Sequence, residues 1–295
     1  MDERAALRLL AGDLPHAGDD AAVLDGTVVT TDMLHETTDF PAGTTRYTAG
    51  WRAVGASLSD VAAMGAAATA AVAIYAAPSF DETDLGDFLR GARDVCAAVD
   101  AEYVGGDLDE HREFTVATTA LGSLGDADPV LRSGAEPGDA VCVTGTLGRS
   151  AAALRLFERG EADRANDLFR FEPRVAAGRA LAPHATAMMD SSDGLARSLH
   201  QLAEASDCGF RVGWEALPVD PSVADAAGNE ADRRELAAHF GEDFELVFTV
   251  PEAALERAKE ASPTPITRVG SVTESSAGVV ADGEPLPDRG FTHSG

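Results

Sequence analysis

Strand-like apolar runs and helix-like amphipathic segments alternate along the chain, without a long low-complexity tract. Asp25-Gly26 predicts a turn between two short strands, and in residues 81–99 four apolar residues (Phe88, Ala92, Val95 and Val99) recur along one helix face. In the first part of the chain these patterns predict strands at 21–24, 28–31, 69–76, 103–104 and 114–124, and helices at 44–65 and 81–99.

Residues 125–139 contain two prolines and three glycines, a composition that is typical of a domain boundary. The patterns beyond it predict strands at 140–144, 185–189 and 245–250, and helices within 148–181 and at 192–205 and 252–261. We therefore expect a mixed α/β chain of the α+β type, with two domains at 1–132 and 133–295. Mixed sheets with helices on one face fit this order better than a doubly wound sheet.

The net charge of the chain limits the classes of molecule that it can bind. Among 295 residues, 23 are basic and 50 acidic, which gives a formal net charge of −27. Such a field repels nucleic acids and anionic membranes, so phosphate groups would have to be bound through metal ions and backbone amides. Lys259 is the only lysine. This acid excess predicts adaptation to high salt, where charges are screened; acidic drift in a GC-rich genome is the alternative.

Composition also indicates the compartment. The 45% share of hydrophobic residues excludes global disorder, and no apolar stretch reaches the length of a membrane span. The first residues lack the basic start and apolar run of a signal peptide. The three cysteines (Cys96, Cys142 and Cys208) fit neither a disulfide framework nor a zinc site. These features predict a reduced, cytoplasmic, soluble protein.

Several common enzyme motifs are absent. The chain has no P-loop, no dinucleotide-binding glycine fingerprint, no protein-kinase motif set and no Gly-x-Ser-x-Gly elbow. Acidic residues instead follow glycines or predicted strands, at Asp19-Asp20, Thr30-Thr31-Asp32, Ser59-Asp60, Gly106-Asp107, Asp190-Ser191-Ser192-Asp193 and Glu242-Asp243. Carboxylates in such places are what Mg²⁺ prefers, although each alone could be a turn or a helix cap.

Asp60 is the most informative of these acids. It is expected in the middle of a predicted helix of small and apolar residues, where an unpaired carboxylate would be costly, so it predicts a cation partner. The pair Ser192 and Asp193 could cap a helix, but a helix N-terminus also receives phosphate.

Eight motifs together resemble those of a known family. They are Gly18-Asp19-Asp20-Ala21-Ala22, Thr30-Thr31-Asp32, the segment 58–66 around Asp60, Gly105-Gly106-Asp107, the segment 132–139 that starts at Arg132, Val143-Thr144-Gly145-Thr146-Leu147-Gly148, Asp190-Ser191-Ser192-Asp193-Gly194-Leu195 and Gly241-Glu242-Asp243-Phe244-Glu245-Leu246. In this order they resemble the thiamine-monophosphate kinases, relatives of aminoimidazole ribonucleotide synthetase, nearly end to end from Gly18 to Phe291.

The resemblance implies an activity, a fold and a set of site residues. The activity is transfer of the ATP γ-phosphoryl group to thiamine monophosphate, which gives thiamine diphosphate. The fold is an N-terminal ATP-binding domain with a C-terminal α/β domain, and dimers form through the N-terminal sheets. Several Mg²⁺ ions would be bound by Asp20, Thr30, Thr31, Asp32, Asp60, Asp107, Asp190 and Asp193. ATP would contact Gly106, Asp107, Arg132 and Ser192, and the substrate would contact Asp39, Glu242 and Phe291.

One position departs from the family pattern, because many relatives carry His where Asp39 stands; an Asp there can face the cationic thiazolium. The implied chemistry needs no general base, since a phosphate monoester has a second pKa of about 6 and is already a nucleophile at neutral pH. Selenophosphate synthetase is excluded because it needs a reactive Cys or selenocysteine and a Lys near the N-terminus, and neither is present. The hydrogenase-maturation relative is excluded because it ends in a Cys, which this sequence does not. A purine-pathway amidine-forming synthetase and a nucleotide-binding protein without turnover stay open as alternatives.

Overall fold

The computed structural model describes Leu14 and residues 16–290, which form two mixed β-sheets with helices packed on them. The strands of the first sheet are β1 (Ala22–Leu24), β2 (Thr27–His35), β3 (Ala67–Ala77), β4 (Glu102–Glu110) and β5 (Thr115–Ser123). Their order is β1-β2-β5-β3-β4, and only β3 and β4 pair in parallel. Strand β4 is therefore an edge of the sheet.

Three helices accompany this first sheet, namely α1 (Glu36–Asp39), α2 (Arg46–Ala63) and α3 (Glu82–Ala98). Helix α2 begins where the Thr45 hydroxyl accepts a hydrogen bond from the amide of Thr48 at 3.1 Å. Helix α3 begins at Asp81, whose carboxylate accepts hydrogen bonds from the amides of Thr83 and Asp84. Both starts follow the usual preference for short oxygen-bearing residues at the N-cap.

The second sheet has seven strands, with one parallel pair and otherwise antiparallel pairs. Its strands are β6 (Ala140–Thr144), β7 (Ala187–Asp190), β8 (Cys208–Val212), β9 (Leu246–Val250), β10 (Ile266–Glu274), β11 (Val279–Ala281) and β12 (Glu284–Pro285), in the order β12-β11-β8-β10-β6-β9-β7. The helices are α4 (Arg149–Glu158), α5 (Ala162–Phe169), α6 (Val175–Leu181), α7 (Leu195–Ser206), α8 (Val223–Ala226), α9 (Glu230–Ala238) and α10 (Leu255–Ala261). The predicted mixed α/β chain with two mixed sheets is confirmed.

Helix α2 joins the two halves of the molecule. It packs on β2 and β5 of the first sheet and on α6 and β7 of the second half. The approach of α6 is close, since a Cβ on Gly178 would lie 2.1 Å from the carbonyl oxygen of Ala62. One buried apolar cluster includes Val28 and Phe114 of the first half together with Met188 and Phe248 of the second. The residues of α2 are thus fixed relative to both sheets.

The structure corrects three details of the sequence prediction. Gly105, Gly106 and Asp107 lie inside β4 rather than after a short strand, because this glycine-rich edge strand lacks apolar alternation. Thr30 to Asp32 lie within β2, which continues to His35. Asp60 lies in the last turn of α2 and not in the middle of the helix. Strands β8 and β10 were not predicted, and each contains a glycine, Gly209 and Gly270, that weakens the strand pattern.

Candidate functional site

Three carboxylates from separate segments meet beside helix α2. Asp20 precedes β1, Asp60 is in the last turn of α2, and Asp190 ends β7. Carboxylate oxygens of these three residues all lie within 4.8 Å of one another. We call Asp20, Asp60 and Asp190 the carboxylate cluster. It contains residues from both halves of the molecule, so it exists only when the halves are packed together.

Hydroxyl groups orient the acids of this region. Thr30 Oγ1 donates to Asp60 Oδ2 at 2.5 Å, and Ser59 Oγ donates to Asp190 Oδ2 at 2.7 Å. Ser57 Oγ donates to Asp32 Oδ2 at 2.9 Å, which places Asp32 beside the same helix. Helix α2 therefore supplies one carboxylate and orients two others through its serines, a role that the sequence did not reveal for Ser57 and Ser59.

Arg132 is joined to the carboxylate cluster through Asp20. Its Nε and Nη2 atoms donate to Asp20 Oδ2 and Oδ1 at 3.1 and 3.0 Å, and its backbone amide donates to Asp19 Oδ1 at 2.6 Å. Burial works against the charge of Arg132, but the carboxylates of Asp20, Asp190 and Asp60 hold its pKa above the usual value. The bidentate pair fixes the guanidinium in one plane.

Burial and neighbouring charges raise the pKa of Asp60 and Asp190. Burial, followed by the charge of Asp20, raises the pKa of Asp190 to about 7. Burial and the charges of Asp32, Asp190 and Asp20 raise the pKa of Asp60 well above its usual value. Carboxylates held together against such repulsion are stabilised by a divalent cation, and an all-oxygen donor set suits Mg²⁺. The residues present therefore fit the metal ions that the family resemblance implies.

The other predicted metal residues occupy three different positions. Thr31 lies on the face of β2 opposite to Thr30, and its hydroxyl donates to the carbonyl of Thr118 at 2.7 Å. Asp193 precedes α7, one residue after Ser192, whose amide donates to Asp190 Oδ1 at 3.3 Å. Asp107 lies on the edge strand β4 and is exposed.

Strand register shows how far Gly106 and Asp107 are from the cluster. Asp32 pairs with Thr118, Thr118 with Ala73, and Ala73 with Gly106, so three strand spacings separate Asp32 from Gly106. At about 4.8 Å per spacing this is about 14 Å. A side chain at Gly106 is also impossible, because its Cβ would lie 1.8 Å from the carbonyl oxygen of Ala73. The structure thus does not bring these two residues to the cluster of their own chain.

A cavity of about 550 Å³ contains two of the predicted substrate residues, Asp39 and Glu242. Its wall also includes the side chains of Phe40, Phe169 and Phe240. We call it the aromatic cavity. Asp39 Oδ2 accepts hydrogen bonds from the amide of His35 at 2.7 Å and from Thr38 Oγ1 at 2.8 Å. Aromatic faces beside carboxylates form a favourable site for a cationic ring.

The third predicted substrate residue, Phe291, lies outside the described residues. The last described residue, Gly290, is close to the carboxylate-bearing turn before α7, since a Cβ there would be 2.2 Å from the carbonyl oxygen of Asp193. Arg197 Nε lies 2.8 Å from Asp288 Oδ1, and Arg289 pairs with Glu235 at 2.9 Å. These contacts fix the chain up to Gly290 beside the site.

The backbone around Glu242 has an uncommon conformation. Glu242 and Phe244 have φ values of +62° and +54°, in the left-handed region that residues other than glycine rarely adopt. The neighbouring acids hold this loop in place. Asp243 accepts hydrogen bonds from the amides of Gly148 and Ser150 at 2.5 and 3.0 Å, and Glu245 forms a bidentate pair with Arg174 at 2.7 Å. Such strain is frequent at ligand-binding positions.

The sequence of the chain matches two domain models of one family. The AIR synthase related protein N-terminal domain matches residues 18–124, and the AIR synthase related protein C-terminal domain matches residues 136–283. The thiamine-monophosphate kinase of Halobacterium salinarum is 63% identical over 99% of this chain and 100% of its own length. The chain belongs to the thiamine-monophosphate kinase family.

Other members of this kinase family agree along the whole chain. The Escherichia coli K12 thiamine-monophosphate kinase is 33% identical over 94% of this chain and 90% of its own. The crystal structure of the enzyme from Stenotrophomonas maltophilia has a TM-score of 0.81 at 32% identity and covers 96% of this chain and 95% of that one. A solved complex described as AaThiL with AMPPCP and TMP has a TM-score of 0.87 at 27% identity, covering 99% of this chain and 97% of that one.

A second group of structures shares the fold alone. The hydrogenase maturation protein HypE of E. coli is 21% identical, with a TM-score of 0.71 over 99% of this chain and 96% of its own.

In the part of the chain that the structure describes, none of the helices has the length and apolar character of a membrane span.

Besides Ser57 and Ser59, sequence reasoning about the kinase site missed Arg52 and the phenylalanines of the aromatic cavity, Phe40 among them. Arg52 contacts Glu242, and Phe169 and Phe240 line the aromatic cavity. Arg52 carried a signal, since it is an arginine in a helix otherwise rich in small and apolar residues. The phenylalanines carried none, because aromatic residues in such segments are usually core residues.

Proposed function

We propose that this chain transfers the γ-phosphoryl group of ATP to thiamine monophosphate, which gives thiamine diphosphate and ADP. The observation that carries the proposal is that an acidic, aromatic cavity and a carboxylate cluster are both joined to helix α2, the first through Arg52 and the second through Asp60. The first suits a cationic heterocycle, and the second suits the metal ions of a phosphoryl transfer. The relatives named above, one of them solved with AMPPCP and TMP, support the same assignment.

The side chains of the site have binding and orienting roles in this proposal. Asp20, Asp60 and Asp190 would hold Mg²⁺ directly, with Thr30 and Asp32 beside them. Magnesium, when bound, neutralises phosphate charge and stabilises the transferring group. The acceptor phosphate, with a second pKa of about 6, needs no protein base at neutral pH. The chain therefore has to bind the acceptor, align it with the donor and exclude other geometries.

The acceptor would lie in the aromatic cavity. Asp39 and Glu242 would face its positive charge, and Phe40, Phe169 and Phe240 would cover its rings. Phe291, near the end of the sequence, is proposed to stack on the thiamine rings. The pairs of Asp288 with Arg197 and of Arg289 with Glu235, in the residues just before it, support this proposal.

We infer that the active unit is a homodimer formed through the N-terminal sheets. The face of the first sheet opposite α2 exposes Met33 and Ile74, whose side chains are 55% and 46% accessible. Register places Met33, Ala117, Ile74 and Asp107 in one row across this face. A second copy packed there would cover the apolar row and would bring Asp107 and Gly106 to the nucleotide at the partner's cluster. Thr31 lies on the same open face.

ATP would then be bound by groups from both halves and both copies. Arg132 and Ser192 lie at the cluster of their own chain, where a guanidinium and the amides before α7 suit phosphate oxygens. Asp193 would add a metal ligand at the same turn. Gly106 and Asp107 border a separate cavity of about 490 Å³ that also includes Tyr75, Phe88 and Tyr103.

We place the domain boundary between residues 132 and 133, next to the arginine that links the halves.

We also infer a reduced, cytoplasmic location, because the three cysteines are free and buried. Burial raises the pKa of Cys96 and Cys142 to about 12 and that of Cys208 to about 11, so these thiols are unreactive. Adaptation to high salt remains part of the proposal and is tested below.

The proposal is tested by incubating the protein with ATP, MgCl₂ and thiamine monophosphate and measuring thiamine diphosphate and ADP. We expect both products in equal amounts. Formation of neither product would contradict the proposal. A parallel incubation with ATP, ammonia and a purine-pathway amide, scored for the amidine product and ADP, tests the amidine-forming alternative. ATP binding by calorimetry without either turnover would favour a non-catalytic nucleotide-binding protein.

A further inference from the structure

A buried arginine outside the carboxylate cluster contacts two of the residues that line the aromatic cavity. Arg52 is 2% exposed and lies in the second turn of α2. Its Nη2 atom donates to Glu242 Oε2 at 2.6 Å, and its Nη1 atom donates to the carbonyl oxygen of Phe169 at 2.5 Å and to Ser150 Oγ at 3.3 Å. Its guanidinium also lies 3.6 Å from the centre of the Phe169 ring.

The environment of Arg52 is unfavourable for a charge unless the partners are well placed. Burial lowers the pKa of Arg52, and the charges of Glu242, Asp243 and Asp39 oppose this effect. Replacement of such a pair by apolar residues is often neutral for stability, so a buried pair is weak support for a purely structural role. The residues that Arg52 contacts instead point to ligand binding, because both Glu242 and Phe169 line the aromatic cavity.

Glu242 lies in a loop of uncommon backbone conformation that Arg52 contacts. Its backbone has a φ value of +62°, between Gly241 at +82° and Phe244 at +54° two positions further on. Its amide donates to the carbonyl of Ser192 at 2.6 Å, so the loop rests on the turn that carries Asp190 and Asp193. The bond from Arg52 reaches this loop from the opposite half of the molecule.

The same helix that holds Glu242 also holds the carboxylate cluster. Arg52 and Asp60 are eight residues apart in α2, which corresponds to about 12 Å along a helix axis. Ser57 and Ser59 lie between them and orient Asp32 and Asp190. Because a helix is rigid over two turns, the distance between the Glu242 carboxylate and the cluster is set by α2.

We propose that Arg52 is a positioning residue for the acceptor. Resting on the proposed function, the inference is that Arg52 holds the Glu242 carboxylate at the cavity wall and at a fixed distance from the cluster. The cationic organic end of a phosphate monoester and its phosphate are then placed correctly at the same time. Arg52 thereby contributes to the choice of an acceptor of one length and charge, without touching the reacting atoms.

The test compares steady-state kinetics of four proteins: the wild type, Arg52→Met, Glu242→Gln and the double variant. We expect Arg52→Met to raise the KM for thiamine monophosphate about 10- to 100-fold, the range for one charge-assisted hydrogen bond. The KM for ATP should change less than about twofold, since Arg52 contacts no nucleotide group. In the Glu242→Gln background the same substitution should add less than about threefold, because residues that act through one contact are not additive.

Two further variants keep the test decisive. Arg52→Lys retains the charge next to Glu242 and should restore part of the acceptor affinity, and it is measured in the same way if Arg52→Met does not fold. Arg170→Met is the matched control, because Arg170 donates to Thr48 Oγ1 of α2 at 3.1 Å without a contact to Glu242. It should leave the KM for thiamine monophosphate within about twofold of the wild type.

The possible results separate this inference from the proposed function. Wild-type turnover alone decides the function. With turnover present, equal rises in the KM for both substrates, or full additivity in the double variant, would show that Arg52 only stabilises the fold. A rise confined to the acceptor and lost in the Glu242→Gln background would establish the positioning role.

Discussion

The carboxylate cluster and the aromatic cavity are both joined to helix α2, through Asp60 and through Arg52, yet their charges are arranged in opposite ways. In the cluster, burial and then the repulsion between neighbouring acids raise the pKa values of Asp60 and Asp190. In the cavity, Glu242 is paired with Arg52 at 2.6 Å. The cluster is thus complete only with a positive ligand, whereas the cavity is already oriented before any ligand arrives. Binding energy at the cluster therefore comes from neutralising its charge, whereas at the cavity it comes from a carboxylate that is already held in place.

The largest expected effects come from removing one carboxylate charge in each region, and the two substitutions should change the stability of the metal-free protein in opposite directions. Asp60→Asn should lower turnover at least about 100-fold, because it removes a charge that binds Mg²⁺. The same substitution should raise the melting temperature of the metal-free protein, since a neutral side chain removes the cost of burying the Asp60 charge and its repulsion with the neighbouring acids. Glu242→Gln should instead lower the stability by about 3 kcal/mol, because it leaves Arg52 buried without its partner.

Thermal melts in EDTA and turnover at saturating MgCl₂ measure both effects. Asp163→Asn, an exposed change in α5, serves as the control and should alter neither. Near-normal turnover of Asp60→Asn would refute the metal assignment. A lower melting temperature for Asp60→Asn in EDTA would show that the cluster does not store repulsion.

The next prediction concerns the residues that strand register keeps away from the cluster. Asp107→Asn alone should be inactive, like Asp60→Asn, if it serves the partner's site. Co-expression of the two variants should then restore about one quarter of the wild-type activity, since half of the dimers are mixed and each mixed dimer has one intact site. No recovery in isolated mixed dimers would place Asp107 outside a shared site.

The acids of the cluster were predictable from the sequence because each lies in a short motif with glycine, serine or threonine beside it. The separation of Asp107 from Asp32 was not, because it depends on the order of β2, β5, β3 and β4, and non-local pairing leaves no local pattern. The aromatic cavity was predictable only in part. Asp39 and Glu242 followed from the family resemblance, whereas Phe169 and Phe240 come from distant segments that resemble ordinary core. Arg52 was missed because its partner is 190 residues away.

A smaller effect should appear when pH is varied. The pKa of Asp190 is raised to about 7, so between about pH 4 and pH 7 the folded protein binds more protons than the unfolded chain. Without metal, this group therefore makes the fold less stable as pH rises through that window. Mg²⁺ competes with the same proton, so its affinity should fall about tenfold for each pH unit below 7.

Melts at pH 6, 7 and 8 with and without MgCl₂ measure this competition. The stabilisation by MgCl₂ should increase with pH, and it should be reduced at every pH in Asp60→Asn. Stabilisation that is independent of pH would mean that the metal binds away from Asp190.

The smallest expected effect is a response to salt that both regions share. With a net charge of −27, the folded chain repels itself over distances longer than the cluster. Raising KCl shortens the Debye length from about 10 Å at 0.1 M to about 3 Å at 1 M, so surface repulsion is screened, while the oxygens of the cluster, within 4.8 Å of one another, stay coupled. The melting temperature should therefore rise by several degrees between 0.1 M and 2 M KCl, by the same amount in the wild type and in Asp60→Asn. Indifference to KCl would contradict the adaptation to high salt, and a smaller rise in Asp60→Asn would show that salt acts on the cluster itself. Addition of MgCl₂ and ATP at 2 M KCl should raise the midpoint further, because ligands that bind only the folded state stabilise it whatever the screening.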